Sequence, residues 1–218
     1  MLAIFLIQFV IMKIYKILPE TNHSGDSGRD AFFVPFQDAR QLKISFWKID
    51  DIPDTLSTDT IYFDANFNLI SIYDFPYLDV SIPVMSDKMI RSLGSKGTLN
   101  CDLYPVIMLK DTFLESKFDK NKKLRTNVPI DNRFSVIHLK SYFECFDYEK
   151  SKFITYQGSN SITISDMVLK KQSVDFPSIF RVKEEISSLF VTEETKMKFE
   201  ENKVRGVAYN EIAISSTV

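Results

Sequence analysis

Residues 178–212 constrain this chain more than any other stretch, because they spell a strand, a capped helix and a returning strand in one run. Ile179-Phe180-Arg181-Val182-Lys183 alternates apolar and polar side chains, the period of a half-buried strand. Leu189-Phe190-Val191 is a second short apolar run. Thr192 stands where a helix N-cap belongs. Glu193 and Glu194 follow it, so negative charge meets the free N–H groups and positive dipole end of a first turn. Met197 and Phe199 give residues 192–201 an apolar side, and Lys196, Lys198 and Glu200 are expected in water. Gly206 suits a turn with positive φ, after which residues 207–212 return as a strand. The unit is scaffold and holds no chemistry of its own.

A second segment shares this layout. Residues 81–84 lead to Ser86 and Asp87, then to an apolar face at Met89, Ile90 and Leu93, a terminating Gly94, and a strand at residues 103–109. Ser86 corresponds to Thr192 and an acid follows each, a common local design without the side-chain identity of a repeat. Around the two units, residues 12–20 (MKIYKILPE) begin with a strand, and residues 32–34 and 42–49 read as strands. Residues 61–63 and 69–73 suggest a hairpin around Asp64-Ala65-Asn66-Phe67-Asn68. Further strands are expected at residues 134–139, 142–147 and 151–156, with a turn at 158–161 and mixed periodicity over 162–169. Many strands and few short helices predict an α+β fold, a mixed and mostly antiparallel sheet with helices near 87–93 and 193–201.

With 218 residues the chain has ample length for a core, and residues 12–213 are expected to form a single domain. Two lobes, if present, would meet at the lysine-rich stretch 112–127, which reads as an exposed loop or short helix. Residues 1–11 (MLAIFLIQFVI) carry no charge but fall short of the ~20 apolar residues of a membrane span. Their positive charges come after the apolar run, the reverse of a secretory signal. The expectation is that the functional chain begins at Met12; a membrane-tethering segment is the competing reading.

Catalytic and metal chemistry find little to work with. His23 and His138 lie far apart, and neither they nor Cys101 and Cys145 have the close spacing of zinc ligands. Both cysteines are expected as buried thiols of a reducing compartment, against a bridge or a reactive thiol. Phe143-Glu144-Cys145-Phe146 sets that thiol in aromatic surroundings, where burial raises its pKa. The six glycines form no phosphate-cradling pattern. No metal, cofactor or enzymatic turnover is expected. The alternative is a small enzyme or ligand-binding protein whose site is assembled from scattered residues such as His138, Cys145 and nearby carboxylates.

A net charge of −2 offers nucleic acid and anionic lipid no global attraction, so neither is an expected partner, and residues 117–125 read as a solvated basic face. Asp50, Asp51, Asp54 and Asp59 place four negative charges in ten residues without a Lys or Arg among them. They lie beside Trp47, and an aromatic anchor within a charged rim is the composition of an interface hot spot. Trp47, Asp50, Asp51, Asp54 and Asp59 are therefore the expected partner-binding residues. The competing reading makes Trp47 core and the aspartates the end of a strand.

Four stretches in order carry a family resemblance: MKIYKILPE, IPVMSDKMIRSLG…DLYPVIMLKD, FSVIHLKSYFECFDYEKS, and SIFRVKE…SLFVTEETKMKFEENKVRGVAYNEI. Over about residues 12–212 the chain resembles immunity proteins of bacterial polymorphic-toxin systems, in particular the large class formerly known only as a domain of unknown function. Tyr209 stands where that class usually has Phe, and residues 21–30 have no counterpart. The resemblance implies a cytoplasmic protein that binds and neutralises a cognate toxin. It carries over no catalytic residue.

Overall fold

The computed structural model describes residues 12–21, 28–34, 46–47, 60–94, 99–156 and 162–215. In chain order the elements are β1 (Ile14–Pro19), β2 (Ala31–Phe33), β3 (Ile61–Ala65), α1 (Phe67–Ile70), β4 (Val84–Ser86) and α2 (Asp87–Ser92). There follow β5 (Cys101–Lys110), β6 (Ile130–Leu139), β7 (Lys152–Thr155), β8 (Ile162–Asp166) and β9 (Val168–Lys170). Last come β10 (Ile179–Val182), β11 (Glu185–Thr192), α3 (Glu193–Glu201) and β12 (Val207–Ser215). The strands form two five-stranded sheets, ordered β2-β3-β5-β6-β4 and β10-β11-β1-β12-β9, and a separate β7-β8 pair. Among the described residues only β3–β5 and β9–β12 pair in parallel, so the fold is a sheet-dominated α+β with mixed sheets.

The two sheets are built on one plan. β4 ends in Ser86, whose side chain accepts from Met89 N and starts α2; β11 ends in Thr192, whose side chain accepts from Thr195 N and starts α3. Each strand–helix–strand passage steps over one antiparallel strand, β6 in the first sheet and β1 in the second. The registers agree: Ser86 pairs with Phe134 and Phe134 with Val106, while Thr192 pairs with Ile14 and Ile14 with Ile212. Beyond the second strand of each passage lies the parallel neighbour, β3 or β9. What differs is the place of the fifth strand, β2 beside β3 in the first sheet and β10 beside β11 in the second, and the source of the middle strand. β6 follows β5 directly, whereas β1 precedes the other strands of its sheet, so over four strands and one helix the second unit has the order of the first, circularly permuted. The shared cap chemistry read in the sequence thus extends to a shared sheet topology.

The units pack through equivalent faces. Tyr15, Ile17, Leu189 and Val191 of one sheet meet Met85, Ile137 and Leu139 of the other, with Met89, Leu93 and Phe199 from α2 and α3 between them. Asp74, fully buried, stitches the units together. Its carboxylate accepts from Ser86 Oγ at 2.6 Å and from Arg205 N at 2.9 Å, and pairs with Lys88 at 2.7 Å. Gly206 follows at φ +83°, where an added Cβ would lie 3.0 Å from the Phe75 carbonyl and 3.1 Å from Tyr73. Outer clusters cover the remaining faces: Ile61, Phe63, Met108 and Phe134 on the first sheet, and Ile14, Phe180, Phe190 and Leu169 on the second.

Several local expectations are corrected. Of the strand read at residues 42–49, Phe46 and Trp47 are described, and both are helical. Their successive carbonyls converge on one guanidinium, which an extended strand with alternating carbonyls cannot arrange. The second arm of the hairpin at 69–73 is instead helix α1 and its turn, because the Asn66 side chain accepts from Asn68 N at 3.0 Å and caps a helix. Residues 142–147 hold an isolated bridge between Phe146 and Leu169 and no strand. β10 is buried along its whole length and not alternately. On α3 the buried pair is Thr195 and Phe199, four residues apart on one face, which leaves Met197 half exposed. Residues 112–127 connect β5 to its hairpin partner β6 within one sheet and so do not separate the two sheets. Residues 1–11, the turn at 158–161 and Asp50, Asp51, Asp54 and Asp59 lie outside the described residues.

Candidate functional site

Trp47, the aromatic residue singled out for partner binding, is 6% exposed and packs in the cluster between the two sheets. Its indole N–H donates to the Ser81 carbonyl. Its own carbonyl is held by Arg181, the largest side chain buried almost completely in the described structure. Arg181 donates to the carbonyls of Phe46 at 3.2 Å, Trp47 at 2.6 Å, and Leu139 at the end of β6. The guanidinium also lies 5.8 Å from the Trp47 ring and 5.6 Å from that of Tyr142. Burial lowers it to about 10, still far above neutrality, so it stays charged and its charge is met by carbonyl dipoles and ring faces. Arg181 is therefore a clamp between β10, β6 and the Phe46–Trp47 turn. Reading the residue from alternation alone puts it in water; its position between Phe180 and Val182 was the available hint of burial.

His138 and Cys145, the core of the alternative site, occupy different surroundings. His138 is fully buried and packs edge-on against Phe46 and Tyr104, at 6.3 and 6.2 Å. Cys145 belongs to the cluster of Phe146, Phe176 and Phe180, where burial, with Glu184 adding to it, pushes the thiol up to about 12. Such a thiol is a poor nucleophile at neutral pH. Among the described residues no group of His, Cys, Asp and Glu is placed to hold a metal ion.

A cleft of about 250 Å³ opens at the seam of the sheets, lined mainly by Ile17, Trp47, Phe75, Tyr77, Ile82 and Leu189. Its lining includes no carboxylate, lysine, arginine, histidine or cysteine. Two of its polar groups are already engaged: the Ser81 carbonyl accepts from Trp47, and Ser188 Oγ donates to Glu185. The cleft can shelter apolar matter but offers little to orient a reacting group.

The surface feature with the most chemistry is the β5–β6 connection, residues 111–129. Its base is closed by Lys110 N donating to the Pro129 carbonyl at 3.1 Å, and its tip is a small hairpin in which Phe118 bridges Leu124. Arg125 N donates to Lys117 O at 3.0 Å and Asp119 N to Lys123 O at 2.9 Å. The Asp119 carboxylate is turned inward onto the N–H groups of Asn121 and Lys123. Two side-chain contacts fix the loop to β3, where Lys117 pairs with Asp64 at 2.7 Å and Phe118 meets Tyr62 edge-on at 5.2 Å, and Asp111 N donates to the Ala65 carbonyl at 3.0 Å. Lys120, Lys123 and Arg125 point to solvent, and Leu114 is 97% exposed. Among the described residues no helix is long and apolar enough to cross a membrane, which says nothing of a β-barrel. No protein-family model matches the chain, and no curated protein matches it.

Proposed function

We propose that this protein is a non-enzymatic immunity protein that acts in the cytoplasm by binding and neutralising a cognate bacterial toxin. The observation that carries this reading is where the four family-like stretches fall. They coincide with β1, with β4–α2–β5, with β6 and the loop after it, and with β10–β11–α3–β12. These are the elements that pair and pack to make the duplicated framework, including both capped helices and both middle strands. A likeness confined to surface segments would not select that set. His138 and Cys145 rest in different parts of the core, and the apolar cleft presents no ionisable group besides a tyrosine, so neither place supports the enzyme reading.

The test is co-expression with the product of the gene immediately upstream of this protein's own, where the reading expects a toxin; an upstream product that is harmless to cells would sink it. Cells producing both proteins should survive, and the two should elute as one complex in size-exclusion chromatography. Survival without any complex, or turnover of the toxin's product or substrate by this protein alone, would sink the binding reading.

A further inference from the structure

We infer that the β5–β6 loop is a docking surface for an acidic protein partner: Leu114 enters an apolar pocket of that partner, and Lys120, Lys123 and Arg125 meet the carboxylates around it. This rests on the binding role proposed above and names the face that performs it.

The loop is far longer than the connection of its two strands requires. Hairpin connections usually take about 2–5 residues, and structureless connections beyond about 12–15 residues are as a rule either disordered or functional. This connection runs from residue 111 to 129 and is ordered without a core of its own, by backbone bonds, the inward-turned Asp119 and the two anchors on β3. Lys122 at its tip sits at φ +62°, a conformation that an L-residue enters only against a steric penalty. The fold of the sheet needs none of this, since a tight turn would join the same two strands.

Residues 110–125 hold six cations and three carboxylates in a chain whose net charge is −2, so a positive field stands on a mildly negative body. Two carboxylates, Asp111 and Asp119, accept from backbone amides, and one cation, Lys117, pairs with Asp64. Leu114 is the most exposed large apolar side chain among the described residues. A single exposed leucine means little by itself; one held on an ordered arch among cations has the makeup of an anchor with a charged rim.

Nucleic acid fits less well. Binding single strands takes open aromatic faces beside the cations; of the rings on the loop, Phe118 is held edge-to-face by Tyr62 and Phe113 is only partly exposed. Leu114 has nothing to offer a phosphate backbone. Carboxylates on a protein would instead steer association with these lysines, and an apolar pocket would accept the leucine.

The experiment measures association and dissociation rates of the full chain with the product of the gene immediately upstream, the toxin that the binding role expects, and in parallel with oligo(dT). Three variants are compared: Leu114→Asp, the triple Lys120→Glu/Lys123→Glu/Arg125→Glu, and, as a contrast, the triple Asp50→Lys/Asp51→Lys/Asp54→Lys. Leu114→Asp should speed dissociation by about tenfold or more. The loop charge reversal should slow association by about tenfold at low salt and flatten its salt dependence, with melting temperatures unchanged because these side chains are exposed. Loop variants that bind the toxin like the original chain overturn the surface while leaving the binding role intact, the more so if the aspartate reversals abolish binding. Tighter binding of oligo(dT) than of the toxin overturns the choice of partner. An original chain that folds and does not bind the toxin removes the binding role, and this surface with it.

Discussion

Replacing Arg181 by Met tests the central packing argument most directly. The substitution keeps a long flexible chain in a site 1% exposed but removes the donors that serve Phe46, Trp47 and Leu139. The Trp47 carbonyl keeps a long bond from the Tyr142 hydroxyl at 3.4 Å, and each carbonyl left without a donor, those of Phe46 and Leu139, costs about 1–2 kcal/mol. Loss of two cation–ring contacts adds about 0.5 kcal/mol each. Against this stands the relief of no longer burying a charge, which is worth several kcal/mol in the least favourable sites. Here the carbonyls and rings already meet that charge, so the relief is partial and the net loss should be about 2–3 kcal/mol. For a chain of this size that is a fall in melting temperature of roughly 5–10 °C. Trp47 is the only tryptophan, so its fluorescence reports the same site locally. Urea unfolding should show the lower midpoint, and the native emission should shift to the red as the Phe46–Trp47 turn loosens. A variant within about 0.5 kcal/mol of the original, with unchanged emission, would refute the clamp and show that the carbonyls find other donors.

Three further outcomes follow from the same geometry. Gly206→Ala meets both a positive φ and a backbone carbonyl at 3.0 Å, and should cost about 2 kcal/mol in thermal unfolding, more than Ala at an ordinary turn glycine. Thr192→Ala should lose about 1 kcal/mol as a simple cap, and Ser86→Ala clearly more, since Ser86 Oγ also donates to buried Asp74; equal losses would contradict the stitching role given to Asp74. Cys145, with its thiol near 12, should resist alkylation at pH 8 while the chain is folded and react once urea unfolds it; rapid labelling of the native protein, mapped by mass spectrometry, would show the thiol is not sealed.

The readable parts of this fold are those with local chemistry. Ser86 and Thr192 cap the helices that follow them and Gly206 takes a positive φ, each as its type suggests, while the contacts of Ser86 with Asp74 and of Gly206 with Phe75 are not local. The unreadable parts depend on partners far away. Phe46-Trp47 alternates with its neighbours like a strand, but the acceptor geometry demanded by Arg181, more than 130 residues on, turns it helical. Arg181 itself looks like the polar side of an alternating strand because alternation assumes that charge faces water. At Asn66 two local rules competed, turn and cap, and the bond to Asn68 N decided for the helix. The parallel pairing of β3 with β5 and of β9 with β12 leaves no local trace at all, since each strand's own pattern is indifferent to its neighbour's direction. Of the candidate surface, the lysines were visible in the sequence; the order of the loop that displays them was not.

The permuted position of β1 has a consequence for synthesis. Ile14 leaves the ribosome more than 170 residues before the first of the two strands that flank it, since β11 and β12 come from residues 185–215. At roughly 5–20 residues per second, the opening strand waits about ten seconds or longer for its place. The first sheet has no such delay, because β6 follows β5 and its members all lie between residues 31 and 139. The nascent chain should therefore close one half while holding an apolar strand in reserve, exposed to chaperones or to strand exchange with a neighbouring copy. Stalled chains ending near residue 160 should show amide protection in β5 and β6 and none in β1; protection of β1 at that length would mean it has an earlier partner than the finished fold reveals.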